Sequence, residues 1–135
     1  MADIRPVTAA FAVAPQLQTA DLPEAAAHGF RLVINNRPDH EVEGQPTSDD
    51  MAMAAEVAGL DYVHIPVRGG PTPDQAAAMK AAIDAADGAV LAFCRSGTRS
   101  IITWALGQAA AGVPRDQLIQ LGRAAGYDLS TVLGG

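Results

Sequence analysis

The 135-residue chain has one cysteine, one Trp, two Tyr and three Phe, and fewer basic than acidic side chains. Each shortage excludes something. A lone cysteine rules out an internal disulfide and any cysteine-rich metal site, and suits a reducing compartment in which a thiol is kept for reactivity. Nine basic against fifteen acidic side chains leave a net charge of −6, which on average repels nucleic acid and anionic membrane. Neither is expected as a partner. Aromatics at 4% leave the core to aliphatic packing. No apolar run approaches a membrane span, and the opening MADIRPVTAAFAVAPQ is too weakly hydrophobic for a signal peptide, with Asp3 spoiling its charged end. A bacterial-type cytoplasm is the expected location. No repeat, linker or low-complexity segment divides the chain. What remains, 49% hydrophobic and 18% charged, reads as one domain over residues 1–135 able to bury a continuous core.

The stretch around which the rest is organised is AVLAFCRSGTRS, Ala89 to Ser100. Ala89, Val90, Leu91, Ala92 and Phe93 have the length and branching of a buried parallel strand, and helical apolar spacing begins at Ser100. Cys94 therefore falls where a strand ends and a helix begins. Backbone N–H groups from Arg95 to Ser100 lack intrahelical partners there and are free to hold an anion: a thiolate, a phosphate or a sulfur oxyanion. The same dipoles, with the guanidinium groups of Arg95 and Arg99, are expected to favour the thiolate of Cys94 and lower its pKa. Gly97 permits a positive φ, Arg99 offers a planar fork to a tetrahedral oxyanion, and Ser100 is placed to donate to the sulfur. Against this stands the ordinary reading of a free cysteine as a small buried hydrophobe. The polar residues, glycine and arginine that follow favour a site.

Phe11–Ala14 reads as a short strand ending at Pro15. Asp21 reads as the N-cap of a short helix through Glu24 to His28, stopped by Gly29, with His28 a favourable charge at the helix end. Phe30–Asn35 is a central strand. The polar loop NRPDHEVEGQPTSDD is placed at the carboxyl end of the sheet, where ligand contacts gather in parallel α/β folds, and offers Arg37, Asp39, His40 and Glu41. With no second histidine at a ligand spacing, these make no metal site. A helix from Ser48 to about Ala58 ends at Gly59 and turns Met51, Val57 and its alanines to the core. Tyr62–Val67 is the next strand, near an edge because of Pro66, with His64 in a structural role on the opposite face from Val63 and Ile65. After the loop Arg68–Pro71, Thr72 as N-cap, Pro73 at the first turn and Gln75 as the capping-box partner open a helix to about Ala86. Two more helices follow, one to about Ala111 and one from Pro114 to Gly126. Strands and helices thus alternate, giving an α/β fold: a parallel-type central sheet of at least four strands flanked by helices.

GFRLVINNRPDHE, AGLDYVHIPVRGG with TPDQ, LAFCRSGTRS and AAGYDL, in this order, resemble the successive blocks of the beta-lactamase-hydrolase-like (DUF442) domain, over roughly Phe11 to Leu129. The resemblance implies the fold of dual-specificity (protein tyrosine) phosphatases, with Cys94 as nucleophile and Arg99 as oxyanion-binding arginine. Family members are described both as phosphatase-like hydrolases and as sulfurtransferases, some fused to a dioxygenase domain, and no cofactor or metal is implied. Arg37 and Glu41 fall in a family block without an assignable role.

Two chemistries stay open. Hydrolysis of a phosphomonoester through a phosphocysteine needs Cys94, the N–H groups of Arg95, Ser96, Gly97 and Thr98, Arg99, and an acid for the leaving oxygen. Such phosphatases carry five residues between cysteine and arginine and a histidine before the cysteine. Here four intervene and Phe93 precedes, and Arg68, Gly69 and Gly70 stand where the acid is expected, with Asp74 the nearest carboxylate. Sulfane-sulfur transfer through a Cys94 persulfide, from a small-molecule sulfur donor to a thiol acceptor, needs no strong acid and fits the shorter, rhodanese-like loop. It is the first expectation and phosphatase-like hydrolysis the alternative. A non-enzymatic redox- or anion-sensing module is a third reading.

Overall fold

The computed structural model describes residues 2–134. Five strands, β1 (Arg5–Thr8), β2 (Phe11–Ala14), β3 (Phe30–Asn35), β4 (Asp61–His64) and β5 (Ala89–Phe93), form one sheet in the order β1-β2-β5-β3-β4. β2, β5, β3 and β4 run parallel, and β1 pairs antiparallel with β2. The helices are α1 (Leu22–Ala27), α2 (Ser48–Ala58), α3 (Pro73–Ala85), α4 (Thr98–Ala110) and α5 (Arg115–Ala124), with a 3-10 turn at Thr19–Asp21.

The sheet is covered on both faces because its central strands are apolar on both. In β5, Val90 and Ala92 pack with Ile101, Trp104, Met79 and Leu118 from α3, α4 and α5. Leu91 and Phe93 face the other way, against Leu22, Ala25, Met51 and Ala55 from α1 and α2. Every one of these side chains is at most 5% exposed; a fully buried Leu or Phe contributes about 2 kcal/mol. α3 and α4 cross closely, since a Cβ on Gly107 would come within 2.9 Å of the Ala76 carbonyl oxygen. Aromatics also contribute, Phe11 stacking on Trp104 at 5.2 Å between ring centroids.

Local signals held where they were complete. Thr72 and Gln75 close the capping box at the start of α3, and Gly59 ends α2 at φ 79°. β1 is one strand more than the expected minimum of four; its exposed Pro6 and Thr8 alternate with half-buried Arg5 and buried Val7, as in an edge strand with one face to the core. Three expectations need correction. Val57, expected in the core, is 89% exposed, because the buried face of α2 is set by Met51 and Ala55. The strand expected over Tyr62–Val67 ends at His64, although Ile65 and Val67 still donate N–H bonds to Asn35 and Asn36 carbonyls across the gap before and after Pro66. Asp21 caps no helix with its side chain; its Oδ2 accepts from the Gln18 N–H and braces the 3-10 turn instead.

This topology brings the carboxyl ends of four parallel strands together, with β5 between β2 and β3. Cys94 follows the last residue of β5. Open α/β sheets bind ligands beyond this end of their strands.

Candidate active site

Cys94 is fully buried, and its Sγ accepts the Gly97 N–H at 3.1 Å. α4 starts at Thr98, two residues earlier than the apolar spacing indicates, with Gly97 as N-cap at φ 89°. The left-handed conformation at Gly97 turns the chain from strand into helix within a few residues and leaves the sulfur facing the first turn of a 13-residue helix.

Arg99, in that first turn, is held by a carboxylate from a distant loop. Its Nη1 donates to Glu41 Oε2 at 2.7 Å and its Nη2 to Glu41 Oε1 at 2.8 Å; Nη1 also reaches the Val67 carbonyl at 2.9 Å. This is the two-pronged geometry that fixes a guanidinium in direction as well as place. Arg99 is pushed above its ordinary pKa, first by its bond to Glu41, and the sulfur of Cys94 also lies close enough to act on it. The bond to Arg99, aided by Arg37, holds the Glu41 carboxyl down at about 2.

Arg37 lies beneath. It is 3% exposed, its Nε donates to Glu41 Oε1 at 2.8 Å and its Nη1 to Gln16 Oε1 at 2.9 Å, while Nη2 is buried without a partner. Gln16 in turn donates its backbone N–H to the Arg95 carbonyl at 3.2 Å. A continuous line therefore runs from Arg95 through Gln16, Arg37 and Glu41 to Arg99, joining the two ends of the cysteine loop. The Arg37 backbone is pinned as well: its N–H donates to Asn35 Oδ1 and its carbonyl lies 2.9 Å from His64 Nε2. The loop doubles back to Glu41 through His40 at φ 64°, a left-handed position that histidine tolerates better than most side chains.

On the opposite side the Tyr127 hydroxyl donates to the Ser96 carbonyl at 2.9 Å. A Cβ on Gly97 would overlap that phenol oxygen, so glycine is required here twice, for its φ and for space. Burial raises the Tyr127 pKa, with the nearby cysteine adding to it.

Several expected contacts are absent. Ser100 is fully buried, but its Oγ makes no hydrogen bond to Cys94 or to any other group of the described residues. Arg95 joins the loop through its carbonyl, and as a residue it is exposed. Ser96 and Thr98 bond to each other, Oγ to Oγ1 at 2.9 Å. Arg68 lines a cleft of about 520 Å³ beside the loop with Asp39, His40 and His64. Asp74 stands exposed in the first turn of α3, outside that cleft. His64 Nε2 lies 2.9 Å from the Arg37 carbonyl while the residue also lines that cleft, and His28 pairs with Glu24 at 3.7 Å. A larger, mostly apolar groove of about 640 Å³ between α3 and α4 contains none of these residues. Sequence reasoning gave no role to Gln16, Val67 or Tyr127. Only Tyr127 carried a local signal, the glycine before it.

The family model for the phosphatase-like domain of beta-lactamase hydrolase-like proteins matches residues 3–111. The beta-lactamase hydrolase-like protein of Agrobacterium fabrum is 40% identical over 120 residues, which is 87% of this chain and 28% of that protein. The chain thus spans under a third of the curated relatives it matches. Among solved structures, a candidate phosphatase from Neisseria meningitidis is 33% identical with a TM-score of 0.86, covering 97% of this chain and 94% of that one. A candidate dual specificity phosphatase from mouse, complexed with zinc tungstate, has 19% identity and a TM-score of 0.62 over 91% of this chain and 75% of its own; it shares the fold. The family model and the Neisseria likeness favour the phosphatase-like alternative over sulfur transfer.

Proposed function

The chain belongs to the family of phosphatase-like domains of beta-lactamase hydrolase-like proteins, and from that premise we propose that it hydrolyses phosphomonoesters through Cys94. The observation that carries this reading is the Cys94–Arg99 loop at the end of the central strand, with a sulfur, the Gly97 N–H directed at it and a guanidinium held on two prongs. The Cys94 sulfur attacks phosphorus, forming an S–P bond as the ester P–O bond breaks. Loop N–H groups and Arg99 neutralise the charge that develops on the phosphoryl oxygens. Water then attacks phosphorus, the S–P bond breaks, inorganic phosphate leaves and the sulfur is restored.

The leaving oxygen is the weak point. Glu41 is committed to two arginines, Asp74 stands outside the cleft, and Asp39, the carboxylate in the cleft, is engaged through Oδ1 by the Ser48 N–H. Phosphomonoesters whose leaving groups are stable as anions, such as aryl phosphates, therefore suit this site best. A second reading, sulfane-sulfur transfer through a Cys94 persulfide, is favoured by one observation, the four residues between Cys94 and Arg99.

Aryl-phosphate hydrolysis by the wild type and by Cys94→Ser decides the first reading: loss of activity by about 10⁴-fold or more is expected. Phosphate release that survives Cys94→Ser overturns it. Intact mass after brief thiosulfate or glutathione-persulfide treatment tests the second, which requires a thiol-reversible gain of about 32 Da on Cys94.

A further inference from the structure

Tyr127 lies beyond the residues that the family model matches, yet it touches the cysteine loop at the peptide bond whose N–H meets the sulfur. The backbone fixes it there. At the end of α5, Gly126 at φ 96° donates to the Arg123 carbonyl at 3.0 Å, and the Tyr127 N–H donates to the Gly122 carbonyl at 2.8 Å. This pair of bonds is the Schellman termination of a helix. Leu129 packs so closely on Gly122 that a Cβ there would come within 2.6 Å of its Cδ1. The segment that carries Tyr127 is therefore set by α5, and Arg5 stacks on the phenol ring at 5.3 Å.

The peptide bond between Ser96 and Gly97 is planar and trans, so its C=O and N–H point in opposite directions. Its oxygen accepts the Tyr127 hydroxyl on one side of the loop, and its N–H donates to Cys94 Sγ on the other. Fixing either end fixes the other. Gly97 itself supplies little restraint, because glycine crosses to other φ values at low cost. Turned over, the same peptide would present a carbonyl oxygen to the sulfur and to any incoming oxyanion. We propose that Tyr127 is a positioning residue that locks the Ser96–Gly97 peptide with its N–H toward Cys94, and so keeps the anion-binding loop in its competent state. This rests on Cys94 being the reacting sulfur, and holds for attack on phosphorus or on sulfur alike.

The experiment reads the loop without any substrate, so failure of the hydrolase reading leaves its result intact. Tyr127→Phe removes the hydroxyl and keeps the ring. The rate of Cys94 alkylation by iodoacetamide, followed by intact mass at fixed pH, should fall about tenfold. In amide NMR spectra the Gly97 resonance should move and its hydrogen exchange quicken. In the wild type that amide should exchange slowly; fast exchange there overturns the proposal without any variant. Alkylation within twofold of wild type in Tyr127→Phe, with an unshifted Gly97 amide, also overturns it. Arg5→Ala removes the stacking and retains the hydroxyl, so its alkylation rate should stay within twofold of wild type; a fall equal to that of Tyr127→Phe would assign the effect to ring packing and defeat the lock.

Discussion

The cysteine loop is gripped from two sides by different physics. Arg99 is held by charge, through Glu41, which shares its Oε1 between Arg99 and Arg37. Ser96 is held by a neutral phenol whose place depends on how α5 ends. The charged side fixes the group that meets the anion, and it depends on the protonation of one carboxylate. The phenol side fixes backbone, and its strength depends on a helix cap. On the proposed phosphatase reading, a loop that binds a dianion while keeping a sulfur ready gains from this division: charge repulsion or salt that loosens one grip leaves the other in place.

The charged grip should give the larger effect when broken. Glu41→Gln keeps the size of the side chain and removes the charge that two guanidinium groups share. Hydrogen bonds to charged groups contribute about 1.5–3 kcal/mol, so a misdirected Arg99 should lower kcat/KM for an aryl phosphate by about 10- to 100-fold. The loss should fall mainly on kcat, because Arg99 acts most strongly on the charge of the transition state. Unchanged kinetics in Glu41→Gln would show that Arg99 needs no carboxylate to hold its direction.

The same carboxylate sets the next effect, on stability. Its folded-state value of about 2 lies below its ordinary 4.5. A group depressed on folding contributes stability that is complete above its unfolded value and is lost as pH falls through the folded one. Chemical unfolding measured between about pH 5 and pH 2 should therefore show a decline in the wild type that exceeds the decline in Glu41→Gln. The other carboxylates are common to both proteins and cancel in the difference. Parallel curves would mean that the ion pairs add nothing to folding.

How far the sequence revealed these two grips follows from the range of the interactions. Thr72 and Gln75, Gly59 and the strand Ala89–Phe93 are read correctly because each signal and its partner lie within a few residues. The face of α2 is misread at Val57 because valine and methionine are equally apolar; only the tertiary partners of Met51 and Ala55 choose between them. Arg37 and Glu41 stand out as a pair, but the partner that gives them meaning, Arg99, is 58 residues from Glu41. Tyr127 is 31 residues from Ser96. Ser100 is the opposite case: its place six residues after Cys94, at the start of the helix, suggests a bond to the sulfur, and burial alone does not create one.

The neutral grip can be put under strain without touching the phenol. Gly126→Ala places a side chain at φ 96°, which a non-glycine residue adopts at a cost of about 1–2 kcal/mol. Space is a minor obstacle, since the neighbour of the added Cβ is the far end of the Arg5 side chain at 3.2 Å. The strain falls on the two bonds that end α5 and deliver Tyr127. Relieving it by fraying the cap would move Tyr127 away from Ser96, whereas keeping the cap would store the strain in the folded state. The two responses separate by measurement: a lower Tm with unaltered Cys94 alkylation means that the cap holds, and slower alkylation with a smaller loss of Tm means that it frays. The first is expected, because Leu129 packed on Gly122 anchors the segment beyond the strained residue. The effect on catalysis should then be the smallest of the series, within about threefold. A larger one would mean that the helix end, and not the phenol alone, governs the loop.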